Sequence, residues 1–511
     1  MSKNQLFATK SLKVLLDDMA GDHSLKRALG PVSLTALGVG AIIGAGIFVA
    51  TGEAARNVAG PALMISYVVA GLTCVFAALC YAEFASMAPV AGSAYTYAYA
   101  TLGELFAWII GWDLVLEYAV GAATVANGWS GYFQSVLTKI GVHIPDVLSK
   151  SPIVYENGHY VMTGAFVNLP AVIIVAIMTV ILVRGIQESA SFNALMVFIK
   201  LAAVLFVIIV GAFYINPKNW TPFAPYGWTG VGFFGIPLAG TVGDDHKPLG
   251  MLAGSAIIFF AYIGFDSVST HAEEAKNPKR DVPIGIILSL LICTVLYVAV
   301  VAVLTGMVPY QNLDPKAGVS SAFKGAGLPW AEFIIAAAGV AGITSVLLVM
   351  MLSAPRVFMA MARDGLVPKR FFADVHPTYK TPWKSTILIG LFVAFLSGLL
   401  PLDALLHLTN IGTLFAFVIV CAAVLIMRRT NPEAERPFRC PLVPVIPVLG
   451  ILFCLLLMLS LPWENWLRLI IWLALGMVIY WFYGRHHSIL GMELRGELAK
   501  RGASPAGAIK H

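Results

Sequence analysis

The sequence predicts an all-α integral membrane protein of about twelve transmembrane helices, whose first and sixth spans are discontinuous. Three observations carry this. The 511 residues are 59% hydrophobic and only 12% charged, with a mean hydropathy of +0.83. A soluble chain needs roughly a quarter of its residues charged. Apolar runs long enough to cross lipid, about 20 residues each, recur along almost the whole chain. Glycine-rich interruptions fall at matching places in two successive groups of five runs.

Residues 1–30 lack the apolar core of a signal peptide. The stretch Ser11 to Gly30 mixes apolar residues with Lys13, Asp17, Asp18, Lys26 and Arg27, which predicts a cytoplasmic amphipathic segment on the inner membrane surface. A first five-helix repeat follows within 31–215, with spans at 33–57, 62–88, 95–130, 168–184 and 190–214. The second repeat, within 250–430, has spans at 250–271, 283–308, 331–361, 383–400 and 403–427. Two additional spans at 441–460 and 463–484 precede a cytoplasmic tail, 485–511.

The net charge of +6 does not mark a nucleic-acid binder, because the Lys and Arg residues cluster in short loops between spans. The densest clusters are Lys276 to Arg280, Arg363 to Lys384 and Arg428 to Arg439. The positive-inside rule then places both termini in the cytoplasm of a multi-pass plasma-membrane protein. The six cysteines lie mostly in apolar spans and show no metal-ligand spacing. No cofactor or metal site is expected.

The first span contains Gly38, Gly40, Gly44, Gly46 and Gly52, and the sixth reads Phe259-Phe260-Ala261-Tyr262-Ile263-Gly264-Phe265-Asp266. Gly40 and Gly44 alone fit close helix packing equally well. Their pairing with an interruption in span six, beside Asp266, favours a binding site. A break in lipid leaves bare carbonyls on one half-helix and bare N–H groups on the next, with negative and positive partial charge respectively. A zwitterion suits that pair of ends. Its carboxylate would meet the N–H groups of Ala45, Gly46 and Ile47, and its ammonium the carbonyls of Ile42, Phe260 and Ile263. Ile43, Gly44 and Ala261 complete the candidate lining, with Asp266 and Tyr262 as gate candidates. Asp266 reads equally as a structural partner for a break carbonyl.

Lys200 interrupts span five, far from either end, so that snorkelling is hard to satisfy. A central charge costs about 2.5–3.5 kcal/mol even on insertion scales. Tied to carbonyls of span one, its ammonium could do the work of a bound sodium ion and release the half-helices on losing its proton. Lys200 therefore predicts proton coupling. Glu117, four residues after Asp113 on one face of span three, is the second candidate, with a structural carboxylate as the other reading. Glu83 reads as structural. His407, with Thr409, Asn410 and Thr413, reads as packed polarity in span ten, and Met350 and Met351 as core or pocket wall.

The run Gly38 to Val49 resembles the first-helix signature of the amino acid–polyamine–organocation superfamily, and Pro89 to Tyr97 its helix-three entry. Leu116-Glu117-Tyr118, Val125 to Ser130, Phe260 to Asp266, Ala272-Glu273-Glu274, Asn277-Pro278, Arg280 and Pro283 to Ile286 are similar to its cationic amino acid transporter branch. The resemblance covers about residues 25 to 430. It implies a LeuT-type five-plus-five inverted repeat with a substrate site at the breaks. It also implies that Lys200 takes a sodium site's place. Mammalian members of that branch carry more spans than are counted here, so the chain looks like a bacterial relative.

The expectation is thus a proton-coupled symporter of L-amino acids working by alternating access. Neutral substrates such as alanine are favoured, with cationic ones the alternative. Rival readings are an exchanger without net proton coupling and a transporter-like amino-acid sensor. A channel would need a filter or charge ring, and a membrane enzyme a metal or nucleophile motif; neither pattern is present. Nothing in the sequence implies an accessory membrane subunit.

Overall fold

The computed structural model describes residues 5–10, 29–87, 93–156, 159–185, 190–233, 236–243, 247–270, 275–315, 317–379 and 381–496. Most of the expected amphipathic segment, the 88–92 entry to span three, Ala272-Glu273-Glu274, the end of the tail and the His407 side chain lie outside the described residues.

The chain is a bundle of apolar helices. Among the described residues, seven helical stretches are long and apolar enough to cross a membrane, and four shorter apolar helices accompany them. The first stretch, Pro31–Met87, has 57 residues, enough for more than one crossing. It comprises α1 (Pro31–Ile42), α2 (46–59) and α3 (Leu63–Met87). Pro31 opens α1, where a missing N–H is tolerated. Gly60, at φ 61, turns the chain from α2 into α3.

The single run expected at 95–130 is two helices, α4 (Ser93–Thr101) and α5 (Glu104–Lys139). Gly103 between them has φ 104, and a Cβ there would meet the backbone of Phe7. The N-terminal segment of residues 5–10 fills this corner, with Lys10 N–H donating to Tyr99 O and Glu104 N–H to Ala8 O, each at 3.1 Å. Hydropathy registers apolar character alone, so it passed over this bend.

Next come α6 (Leu169–Arg184), α7 (Ala190–Ala212) and α8 (Met251–Ile258), which tightens into a 3₁₀ turn over Phe259–Tyr262. A short α9 (Ser267–Thr270) leads to α10 (Pro278–Met307), α11 (Gly318–Gly325) and α12 (Pro329–Arg363). The remainder is α13 (Trp383–Leu399), α14 (Leu402–Thr430), α15 (Val445–Leu459), α16 (Trp463–Ile479) and α17 (Ile489–Leu494). Among the described residues, the strands are confined to three short antiparallel hairpins between helices.

The first and last described segments meet. Gln5 Nε2 donates to Arg485 O at 2.8 Å, and Arg495 donates to Gln5 Oε1 at 2.8 Å. Gln5 also donates to the buried carboxylate of Glu104, as do Tyr99 and Tyr480. These two segments therefore share one face, and a chain that spans the bilayer between them does so an even number of times.

Helix α16 lies antiparallel on α5. Trp108 donates to Gly476 O at 3.0 Å, and Trp112 and Trp472 donate to each other's carbonyls at 2.9 Å with their rings stacked. These reciprocal bonds satisfy indole N–H groups that lipid would leave unpaired.

Candidate functional site

Helix α1 stops at Ile42. Ile43 is extended (φ −71, ψ 110), and a π turn begins at Gly46. The opposing break follows the 3₁₀ turn: Ile263 is extended (ψ 130) and Gly264 has φ 119. Only glycine takes that conformation without strain. A Cβ on Gly264 would sit 2.9 Å from Ala41 O, at the end of α1. The place of a Cβ on Gly46 is already taken by Ala261 Cα and Cβ. The two breaks are therefore in backbone contact, each shaped by the glycine of its own span.

Side chains from neighbouring helices supply the hydrogen bonds that the breaks forfeit. Tyr297 on α10 puts its hydroxyl 2.8 Å from Ile42 O and 3.1 Å from Ala261 O. Asn410 on α14 donates to Ala256 O at 2.7 Å and Ile257 O at 2.9 Å. Tyr132 donates to Phe48 O, and Tyr262, at the second break itself, anchors that break by donating to Tyr67 O on α3 at 2.8 Å. A buried backbone carbonyl in lipid costs several kcal/mol if unpaired. These donors are what allow broken helices to persist at that depth.

The candidate lining residues Ile42, Ile43, Gly44, Ala45, Gly46, Ile47, Phe260, Ala261 and Ile263 are all buried around this junction. Two of the three carbonyls expected to receive an ammonium already accept a bond: Ile42 O from Tyr297, and Phe260 O from the N–H of Ile263. Gly40 packs on Val197 and Gly44 on Val346, so close packing is part of what these glycines do.

Lys200 is 1% exposed, and its ammonium donates to Gly40 O at 2.5 Å, across the contact between α7 and α1. Its stem lies 3.2 Å from where a Gly342 Cβ would stand on α12. Asp266 accepts from Tyr118 Oη at 2.7 Å, which links the second break to α5. Glu117, one residue before Tyr118, is buried with Oε2 unpartnered among the described residues, as is Oδ2 of Asp113. Glu83 is fully engaged by Arg428, Arg436 and the N–H of Cys440.

Three participants were not singled out from the sequence. Tyr297 and Tyr132 look like ordinary aromatic residues of apolar helices. Arg468 carried a signal, a charge inside the apolar run of α16. All three of its guanidinium nitrogens are buried, without hydrogen-bond partners among the described residues. The Trp108–Gly476 and Trp112–Trp472 contacts set an antiparallel register in which Arg468 falls opposite Leu116 and Glu117. Asp113 and Glu117 lie within electrostatic range of it.

Paired breaks inside an apolar bundle, capped by side chains and flanked by buried ionisable groups, are the marks of membrane transport proteins with discontinuous helices. Residues 29–482 match the amino acid permease family. The chain is 49% identical over 489 residues to the branched-chain amino acid permease BcaP of Bacillus subtilis (strain 168), an alignment spanning 96% of this chain and 99% of that protein. It is 45% identical over 487 residues to the methylthioribose transporter of the same organism, spanning 95% and 99% respectively. Human cationic amino acid transporter 4 is 37% identical over 435 residues, spanning 82% of this chain but 63% of that protein. The chain belongs to the amino acid permease family, within the amino acid–polyamine–organocation superfamily. It is a multi-pass membrane transporter and not an enzyme.

Proposed function

We propose that this protein is a proton-coupled symporter of neutral L-amino acids. It would work by alternating access on a LeuT-type five-plus-five inverted repeat with two added C-terminal helices. The carrying observation is the bond from the buried ammonium of Lys200 to Gly40 O, two residues before α1 ends. A fixed cation there holds the carbonyl end of a half-helix in place. An ionised donor bonds roughly twice as strongly as a neutral one. Losing the proton would loosen the first half-helix relative to α7, and the half-helices could then rearrange around the substrate.

The α-amino and α-carboxyl groups of the substrate would occupy the break dipoles once Gly46 and Ala261 separate. Its side chain would meet apolar neighbours such as Ile43, Ile47 and Phe260, all buried here. That lining favours aliphatic side chains, in keeping with the substrates for which the branched-chain permease is named. The basic loops, together with the contact between the Gln5 and Arg485 segments, support a plasma-membrane protein with both termini in the cytoplasm.

Uptake into proteoliposomes tests the reading, with alanine, branched-chain and cationic amino acids and methylthioribose as substrates. A pH gradient should drive accumulation of neutral amino acids without sodium. Accumulation that needs sodium, or exchange indifferent to the pH gradient, would overturn it.

A further inference from the structure

Helix α10 carries a feature that the transport reading does not use. Its outward side is an apolar stripe of Ile284, Ile287, Leu288, Leu291, Ile292 and Val295, at three- and four-residue spacing. Val295 is 70% exposed and Leu288 44%. At the N-terminal end of α10 the stripe opens into a groove of about 540 Å³, walled on its other side by Pro437 and Phe438. Lys279 and Arg280 line the same groove, and no carboxylate does. The lysine pairs with Glu435 at 3.0 Å, both side chains being well exposed. Arg280 is exposed, and its guanidinium has no hydrogen-bond or ion-pair partner among the described residues.

The chemistry of the groove changes along its length, cationic at one end and apolar along the rest. From Arg280 to Leu291 the helix rises about 16 Å, close to the hydrocarbon depth of one leaflet, about 15 Å. We propose that the groove binds an anionic phospholipid, its phosphate at Arg280 and Lys279 and an acyl chain along the α10 stripe. A free anion would leave the apolar wall unused. A zwitterionic lipid would bring its own cation against two others. Arg280 is the principal anchor, since Lys279 is shared with Glu435.

Native mass spectrometry of delipidated protein titrated with phosphatidylglycerol tests this. Removing one cation near the membrane surface should weaken retention about fivefold, so Arg280→Ala loses about fivefold and the Lys279→Ala/Arg280→Ala pair about tenfold, the shared lysine adding less. Glu435→Gln should act in the opposite direction and tighten binding by releasing Lys279. Phosphatidylcholine should bind no better to the wild type than phosphatidylglycerol does to the double variant. Glycerol phosphate, which shares the headgroup but lacks tails, should compete only weakly. Unchanged retention in the double variant, no tightening in Glu435→Gln, equal affinity for phosphatidylcholine, or glycerol phosphate binding as tightly as the lipid would each overturn the assignment. All three side chains are exposed, so a matching melting temperature confirms that folding is not the cause.

Discussion

The hydroxyl of Tyr297 stands 2.8 Å from the carbonyl oxygen of Ile42, and the same oxygen atom of Tyr297 is 3.1 Å from Ala261 O. One side chain on α10 thus serves both broken helices. Its single proton is shared between two carbonyls that sequence distance keeps far apart.

Tyr297→Phe removes that proton and leaves both carbonyls without this donor. The expected cost is about 1–3 kcal/mol, seen as a lower melting temperature of the purified protein. Uptake should fall as well, because the two breaks lose their common tie. Wild-type stability and uptake together would show that the hydroxyl is dispensable.

At Gly46 the test is steric. A side chain there collides with the backbone of Ala261, so Gly46→Val should abolish uptake while the protein still reaches the membrane. Overpacking of this kind costs about 1–3 kcal/mol. Surface expression followed by fluorescent tagging, measured beside uptake, separates lost function from lost insertion.

Lys200→Ala deletes the ammonium bound to Gly40 O. Accumulation driven by a pH gradient should disappear. Residual counterflow, which needs no net driving force, should persist if the substrate site survives. Undiminished pH-driven accumulation would refute the coupling role.

The guanidinium of Arg468 offers a charge cycle. Alone, Arg468→Met leaves the buried carboxylates of Asp113 and Glu117 without the positive charge in electrostatic range, so the melting temperature should fall. Adding Asp113→Asn and Glu117→Gln should recover most of that loss. Thermal unfolding of the single, double and triple variants reads it directly. Strictly additive losses would show that these groups do not interact.

Glu83 and Gly103 show where sequence reasoning succeeds and where it stops. A carboxylate near the end of span two, in a chain whose loops are basic, reads as structural, and three donors engage it. The apolar run around Gly103 reads as continuous, because hydropathy registers the cost of leaving water and not the direction of the backbone. The bend there depends on Phe7, nearly a hundred residues upstream, lying against the glycine.

The apolar runs, the basic loops and the glycines at the two interruptions are properties of single segments, and the chemistry of those segments declares them. Composition alone therefore determined a helical membrane protein with weak points at spans one and six. The tertiary structure alone decided that Gly46 faces Ala261, that Tyr297 and Asn410 cap the exposed carbonyls, that Lys200 reaches Gly40 and that Arg468 lies across from Glu117. The caps and the Lys200 bond need a donor and an acceptor from different helices within about 3 Å, and all four placements exist only once the bundle has packed.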